Sequence, residues 1–328
     1  MIDGFGRTID YLRISVTDKC NLRCKYCMPE GGIELMPHEE LLSLEELYRV
    51  VRIMEGLGIK KVRFTGGEPL VRKNLIKLIE DVGKLPGIEE IAMTTNGVLF
   101  GDKALELKKA GLTGVNISLD TLDKEHFRVI TGVDALDDVL NAIKKAQEAD
   151  IKVKINCVPC IELNEADIVE LAAIAMENDV DVRYIELMPL GCGKDFHGLP
   201  SDEILAKLEA TYGQGTSVEI QCGNGPAQYY KFENFKGRIG FISPMSHKFC
   251  SECNRVRLTA EGRLKLCLHY DTGIELKPLL RGGCSDEEIR TAILESLKKK
   301  PKAHHFEQEL TPCEVEHSDN RRMVQIGG

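Results

Sequence analysis

The sequence predicts an α/β fold in which six βα units build a parallel sheet around a wide, solvated lumen, followed by a β-rich C-terminal part. Strand-like apolar runs recur with helical patterns between them over the first 195 or so residues of the 328-residue chain, and such alternation means a parallel sheet. The runs also alternate, side chain by side chain, between an apolar and a polar lane. After about residue 200 the pattern changes, with no internal repeat linking the two parts.

The six strands are expected at Leu12 to Thr17, Lys61 to Gly66, Glu90 to Thr95, Gly114 to Asp120, Lys152 to Val158 and Asp181 to Met188. Three helices stand out between them. Ser43 to Gly56 opens on Ser43-Leu44-Glu45-Glu46, a capping box, and ends at a glycine; Ala135 to Ala149 and Glu165 to Asn178 have helical spacing. One lane of the strands holds Leu12, Ile14, Val16, Val62, Phe64, Val115, Ile117, Leu119, Val153 and Ile155, suited to packing under helices. The other holds Arg13, Ser15, Thr17, Arg63, Thr65, Asn116, Ser118, Asp120, Lys154 and Asn156, which are costly to bury without a ligand or water. A closed eight-stranded barrel fills its lumen with apolar side chains; this pattern predicts a polar lumen holding a charged substrate, the alternative being an open sheet with one wet face.

Beyond a boundary placed within Gly191 to Pro200, separating 1–195 from 196–328, the expectation is a helix from Ser201, a β-rich stretch from Val218 to Leu268 with turns at Gly223 to Pro226 and Glu261-Gly262, and a helix opened by Ser285-Asp286-Glu287-Glu288. Hydrophobic residues make up 43% and charged residues 29%, ordinary for a globular protein. A net charge of −9 argues against a broad basic face for nucleic acid, so an anionic ligand needs a local basic pocket. With no apolar run of membrane-spanning length and no secretory pattern at the N-terminus, a cytoplasmic protein is expected.

Twelve cysteines in such a protein point to metal or redox chemistry rather than a disulfide scaffold. Cys20, Cys24 and Cys27 follow the first strand with spacing C-x3-C-x2-C, at the carboxyl end of the sheet where α/β enzymes place their chemistry. Three thiolates leave one iron of a four-iron cluster open, and an open iron can bind and reduce a chelating small molecule. Structural zinc, the alternative, lacks a nearby fourth ligand, His38 being the nearest. Cys250, Cys253 and Cys267 form a second set of three, which half of a zinc ribbon completed by His247 or His269 would also explain. Asn254-Arg255-Val256-Arg257 places two guanidinium groups on one side of the strand leaving that set, a fork suited to phosphate. Cys157, on the helix-facing lane, reads as a buried hydrophobe, and Cys192, Cys222, Cys284 and Cys313 as structural. His304-His305 and the Lys298 to Lys302 run read as solvated surface.

The first triad, with Tyr26 inside it and Thr65-Gly66-Gly67-Glu68-Pro69 after the next strand, resembles the radical S-adenosylmethionine superfamily. Glycine at 66 and 67 would let a methionine ammonium approach bare backbone carbonyls. From Phe5-Gly6-Arg7 through Leu12 to Asp18 and both triads to Gly327-Gly328, the chain is similar to the GTP 3′,8-cyclase family within that superfamily. The resemblance implies an incomplete (βα)6 TIM-like barrel with a C-terminal α+β cluster-binding domain, two [4Fe-4S] clusters, S-adenosyl-L-methionine as cofactor and GTP as substrate. It implies S-adenosylmethionine contacts at Tyr26, Gly67, Ser118 and Met188, and GTP contacts at Arg13, Lys61, Arg63, Thr94, Lys154, Arg183, Arg255 and Arg257. The alternative for these cations is pairing with nearby carboxylates such as Asp120. It gives Gly327 and Gly328 a part in catalysis, with Phe306 to Gln325 wrapping over the barrel mouth. The implied reaction is GTP to 3′,8-cyclo-7,8-dihydro-GTP, the first step of molybdenum cofactor biosynthesis. A one-electron reductant protein and a downstream cyclic pyranopterin monophosphate synthase are implied partners, and a homodimer is compatible. A peptide-modifying radical enzyme with an auxiliary cluster and a non-enzymatic electron carrier or zinc-stabilised binding domain are the competing readings.

Overall fold

A computed structural model describes residues 1–29, 31–219, 225–306, 321 and 323–327. The strands are β1 (Tyr11–Ser15), β2 (Lys61–Thr65), β3 (Glu90–Thr95), β4 (Gly114–Ser118), β5 (Lys152–Cys157) and β6 (Asp181–Ile185), all in the expected places, then β7 (Thr216–Val218), β8 (Gln228–Lys231), β9 (Arg238–Ile242), β10 (Arg255–Leu258), β11 (Arg263–Lys265) and β12 (Gly273–Glu275). They form one sheet in the order β12-β11-β10-β1-β2-β3-β4-β5-β6-β9-β8-β7. The expected six parallel strands are thus extended at both edges: β10 adds parallel to β1 and β9 parallel to β6. Antiparallel neighbours β11-β12 and β8-β7 finish the two ends. Local pattern gives no signal for such pairings, because each joins segments far apart in sequence.

Helices α1 (Leu44–Gly56), α2 (Leu75–Gly83), α3 (Ala104–Lys109), α4 (Lys124–Thr131), α5 (Leu136–Glu148), α6 (Ile161–Asn164), α7 (Ile168–Glu177), α8 (Ser201–Tyr212), α9 (Lys277–Arg281) and α10 (Asp286–Leu297) complete the larger elements. The expected capping box at Ser43 forms, and a second one forms at the expected helix start at Ser285. Ser43 Oγ accepts from the Glu46 N–H at 3.1 Å while the Glu46 carboxylate accepts from Ser43 N–H at 2.7 Å, and Ser285 and Glu288 reciprocate likewise. The apolar lane, including Leu12, Ile14, Val62, Phe64, Ile117 and Ile155, is fully buried in one continuous core. Each such side chain contributes about 1.5–3 kcal/mol of burial.

The polar lane stays inside. Arg13 of β1, Lys61 and Arg63 of β2, Lys154 of β5 and Arg183 of β6 line the same cavity as Arg255 and Arg257 of β10. Side chains from strands spread across the sheet can share one cavity only if the sheet curls around it. With β12 and β7 left as edges, this is an incomplete barrel.

Candidate active site

Register fixes the order of groups along the lumen. Arg255, Tyr11 and Lys61 lie side by side across β10, β1 and β2; Arg257, Arg13 and Arg63 make the next inward rung, and Ser15 and Thr65 pair beyond it. Cys250 and Cys253 precede β10, and Cys267 follows its antiparallel neighbour β11, so the second triad sits at the amino end of β10 and β1. Cys20, Cys24 and Cys27 follow β1 at its carboxyl end. The triads therefore face each other along the strands, with two cationic rungs between them over about 13 Å, the length of a five-residue strand. All six cysteines line one cavity of about 410 Å³.

The turn after β2 holds the first triad's loop. Gly67 N–H donates to Thr17 C=O and Glu68 N–H to Lys19 C=O, both at 2.8 Å. A Cβ would lie 2.7 Å from Thr17 O at position 66 and 2.3 Å from Lys19 O at position 67. Both glycines are thus required by this close packing of backbone on backbone, a reason the sequence alone did not give. Glu68 is fully buried and accepts from Thr95 Oγ1, Asn96 N–H and Leu70 N–H at 2.8, 2.8 and 3.0 Å; burial still pushes its carboxyl up to about 7. Tyr26 donates its hydroxyl to Asp120 Oδ2 at 2.6 Å, tying the cysteine loop to the end of β4, and Asp120 also accepts from Val158 N–H at 2.9 Å. Asp120 is committed to these donors and pairs with none of the lumen cations.

Burial raises all three thiols: Cys20 upward, Cys24 far upward beside Cys27 and Asp120, and Cys27 to about 12 beside Cys20 and Cys192. Cys20 and Cys27 both oppose ionisation of Cys24, and Cys20 that of Cys27, so the three sulfurs lie close together. Cys192, expected to be merely structural, is close enough to act on Cys27. Leu22 N–H points at Cys20 Sγ at 3.5 Å, Asn96 Nδ2 at 3.8 Å, and Val324 N–H reaches the Cys27 sulfur. Mutually close, N–H-bonded thiols lining a cavity suit an iron–sulfur cluster. Among the described residues no three His, Cys, Asp or Glu side chains converge on a single ion, whereas a four-iron cluster takes each thiolate on a separate iron.

The second triad differs. Burial raises Cys250, near Cys267 and Cys253, but Cys253 is brought below the ordinary thiol range: burial opposes this, and Lys300 and Arg255 overcome it. The expectation that Lys298 to Lys302 and His304 are solvated is wrong at two positions, since Lys300 is 3% and His304 8% exposed. Lys300 Nζ donates to the carbonyls of Arg255, at 3.0 Å, and Leu266, and a charge run in sequence carries no sign of such acceptors.

Between the triads, burial drives the Arg13 guanidinium well down, helped by Arg257; Arg257 falls to about 10 by burial and Arg255, and Lys154 to about 8 by burial and Arg183. Arg183 is 5% exposed and donates to Asn156 Oδ1 at 3.0 and 2.5 Å. Arg63 Nη1 reaches Thr94 Oγ1 at 3.5 Å, and its Nε donates to Tyr11. Burial would raise the Tyr11 phenol, but Arg63, Arg13 and Arg255 pull it down. Lys61 pairs with Glu90 at 3.5 Å. Tyr11, which orients Arg63, was missed in the sequence although it alternates with Arg13 in the polar lane; Asn156 was placed in that lane without its role of orienting Arg183. Ser118, Thr94 and Met188 line the cavity as well. Cations whose pKa values are lowered by burial and by one another make a site that favours a multiply charged anion.

The tail enters this space. Met323 and Val324 of the short helix Met323–Ile326 line the cavity, and Gly327 C=O accepts from Arg257 Nη1 at 2.9 Å. Gly327 has φ of 82°, and a Cβ there would lie 3.1 Å from both Ser15 and Thr65 side chains. Arg321 bonds Glu261 at 2.7 Å and Asp271 on the way in. Gly328, Cys222, Cys313 and most of the segment from Phe306 to Gln325 lie outside the described residues.

Comparison with known proteins adds the following. Residues 14–175 match the Radical SAM superfamily and residues 180–306 match Molybdenum Cofactor Synthesis C. The chain is 48% identical over the full length of both proteins to a GTP 3′,8-cyclase of Clostridium perfringens (strain 13 / Type A), and 46% identical, again over both full lengths, to a GTP 3′,8-cyclase of Syntrophomonas wolfei. Among solved structures it resembles Streptococcus suis SuiB, with TM-score 0.58 at 18% identity over 80% of this chain and 60% of that one, and SuiB bound to precursor peptide SuiA, with TM-score 0.59 at 16% identity over 97% and 71%. At such identities the likeness concerns the fold.

Proposed function

The chain belongs to the GTP 3′,8-cyclase family of radical S-adenosylmethionine enzymes, and on that premise we propose how its cavity serves the conversion of GTP to 3′,8-cyclo-7,8-dihydro-GTP, the first step of molybdenum cofactor biosynthesis. The supporting observation is the order of groups along one lumen: a cysteine triad, the Arg257-Arg13-Arg63 rung, the Arg255-Tyr11-Lys61 rung, and a second triad. In this reading residues 1–195 carry the first cluster and residues 196–328 the second.

Cys20, Cys24 and Cys27 hold a four-iron cluster which, when bound, supplies the electron that cleaves S-adenosylmethionine to a 5′-deoxyadenosyl radical. The chain's residues do the rest by placement. Tyr26, Gly67, Ser118 and Met188 surround the adenosylmethionine at the carboxyl end of the sheet, Tyr26 fixed by Asp120 and Gly67 by the Lys19 carbonyl. Arg13, Lys61, Arg63, Thr94, Lys154, Arg183, Arg255 and Arg257 take the nucleotide, whose triphosphate offsets the cations' mutual repulsion. Cys250, Cys253 and Cys267 would hold a second four-iron cluster, which would supply an open iron for binding the purine. Held at both ends, the ribose presents its 3′ hydrogen to the first site, and C3′ stays within bonding reach of guanine C8. Gly327, bonded to Arg257, closes the lumen against water, protecting a reactive carbon radical.

Among the described residues no helix is long and apolar enough to cross a membrane; a cytoplasmic enzyme, fed by a one-electron reductant protein, passing its product to a cyclic pyranopterin monophosphate synthase and able to form a homodimer, completes the proposal. The test is anaerobic turnover of reconstituted protein with dithionite, S-adenosylmethionine and GTP. Release of 5′-deoxyadenosine dependent on GTP, with a GTP isomer of unchanged mass and altered retention, is expected. Deoxyadenosine released regardless of GTP, with no isomer, would overturn the substrate assignment and bring a peptide substrate forward.

A further inference from the structure

The backbone carrying the second triad is held by two buried cations that take no part in lining the substrate cavity. Lys300 donates from Nζ to the carbonyl of Arg255 at 3.0 Å and to that of Leu266, the residue before Cys267, and it hydrogen-bonds the Cys253 sulfur. Arg7 donates from Nη1 to the carbonyl of Cys250 at 2.7 Å and to that of Lys302 at 2.9 Å, and from Nη2 to that of Pro301 at 2.7 Å. Between them the two side chains grip backbone beside all three cysteines. Both are nearly inaccessible, Lys300 at 3% exposure and the Arg7 side chain at 8%.

Their charges are not equivalent. Arg7 Nε is paired with Asp3 at 2.6 Å, and Asp3 also accepts from Phe5 N–H and Arg7 N–H at 2.9 and 3.0 Å. Among the described residues no carboxylate pairs with Lys300; its ammonium faces the sulfurs of Cys253 and Cys267. The N-terminal turn is seated by shape as well, because a Cβ at Gly4 would lie 2.8 Å from Lys298 O. Burial disfavours the Lys300 ammonium and lowers its pKa, while the two carbonyls it meets and negative charge at the Cys253 and Cys267 sulfurs it faces favour the charged form.

We infer that Lys300, assisted by Arg7, is a positioning and charge-compensating residue for the second cluster, aligning its three cysteines and raising its reduction potential. The inference rests on the second-cluster reading above. A fixed positive charge stabilises the reduced cluster, which carries one more negative charge, more than the oxidised one. Lys300 therefore outweighs Arg7, whose charge Asp3 already neutralises.

The experiment is a redox titration, followed by electron paramagnetic resonance, of reconstituted full chain carrying Cys24→Ala, so that only the second triad holds iron. Lys300→Met is expected to lower the reduction equilibrium constant about tenfold, a fall of 59 mV for one electron, Arg7→Met to lower it less, and Lys300→Arg to restore the parent value. A role confined to packing would not move the potential. An unchanged potential in Lys300→Met with full iron content overturns the inference. Should Lys300→Met hold no iron, Lys300→Gln, which keeps an N–H donor for the carbonyls without the charge, decides: a lowered potential supports the inference, and an unmoved one or a second loss of iron overturns it. Iron missing from the Cys24→Ala parent itself overturns the second-cluster reading, and the inference falls with it.

Discussion

The two triads share a ligand count and a cavity but not an electrostatic setting. Around Cys20, Cys24 and Cys27 the neighbouring charges are the carboxyls of Asp120 and Glu68, with Arg23 as a weaker opposing cation beside Cys20, and the supporting bonds come from neutral groups: the Thr17 and Lys19 carbonyls, Asn96 and Tyr26. Around Cys250, Cys253 and Cys267 the neighbours are Arg7, Arg255 and Lys300. A buried site flanked by carboxyls resists added negative charge, so a cluster there is a strong reductant once reduced. A site ringed by cations holds its electrons and suits a binding role. On the proposed two-cluster reading, the contrast teaches that a division of labour between two similar cysteine motifs would lie in the side chains around them.

The sharpest break in this comparison is Cys24→Ala. It should reduce 5′-deoxyadenosine formation below detection while removing about half of the iron, because the second triad draws no backbone support from residues 20–27. Loss of all iron in that variant would show the two sites to be one cooperative unit. Next is Arg257→Ala, in the rung between the triads. Truncating one buried charged partner of a triphosphate should weaken GTP binding about a hundredfold and leave iron content and S-adenosylmethionine binding unchanged. Normal GTP affinity would refute the placement of the triphosphate on this rung. The same variant removes the donor to Gly327 C=O, so proteolysis of the tail should quicken in parallel.

Much of this was legible in the sequence because it is local. Alternation of period two in β1, β2, β4 and β5 separated Leu12, Ile14 and Phe64 from Arg13, Arg63 and Lys154, and the structure puts the first set in the core and the second in the lumen. Cysteine spacing found both triads, and Ser43 and Ser285 marked their helix starts. What escaped was non-local. Nothing in residues 238–242 or 255–258 says that they pair with β6 and β1, and Lys300 lies in a run of lysines whose other members gave no reason to separate it. Gly66 and Gly67 were singled out, yet the carbonyls that forbid a side chain there belong to a loop 48 and 49 residues earlier in the chain, which only the fold brings into contact. Tyr11 and Asn156 needed their cross-strand partners Arg63 and Arg183 before their roles could be seen.

The smallest effect tests the middle of the lumen, where the settings of the two ends meet. Lys154, with burial as the first cause and Arg183 as the second, loses its proton at about pH 8 instead of the ordinary 10.5. In the unfolded chain it stays charged to higher pH, so between about 8 and 10.5 the unfolded state binds more protons and the stability of the unliganded protein rises with pH on this group's account. Binding of a triphosphate favours the ammonium and raises its pKa, so over the same window GTP affinity falls, by at most tenfold per pH unit for one proton. Stability and affinity thus respond to pH with opposite signs, a signature that general loss of structure would not produce. Lys154→Met should bind GTP more weakly at pH 7 and lose this part of the pH dependence in both thermal melts and binding curves. If the mutant's binding curve keeps the wild-type slope above pH 8, the proton belongs to another lumen cation and Lys154 does not meet the phosphates.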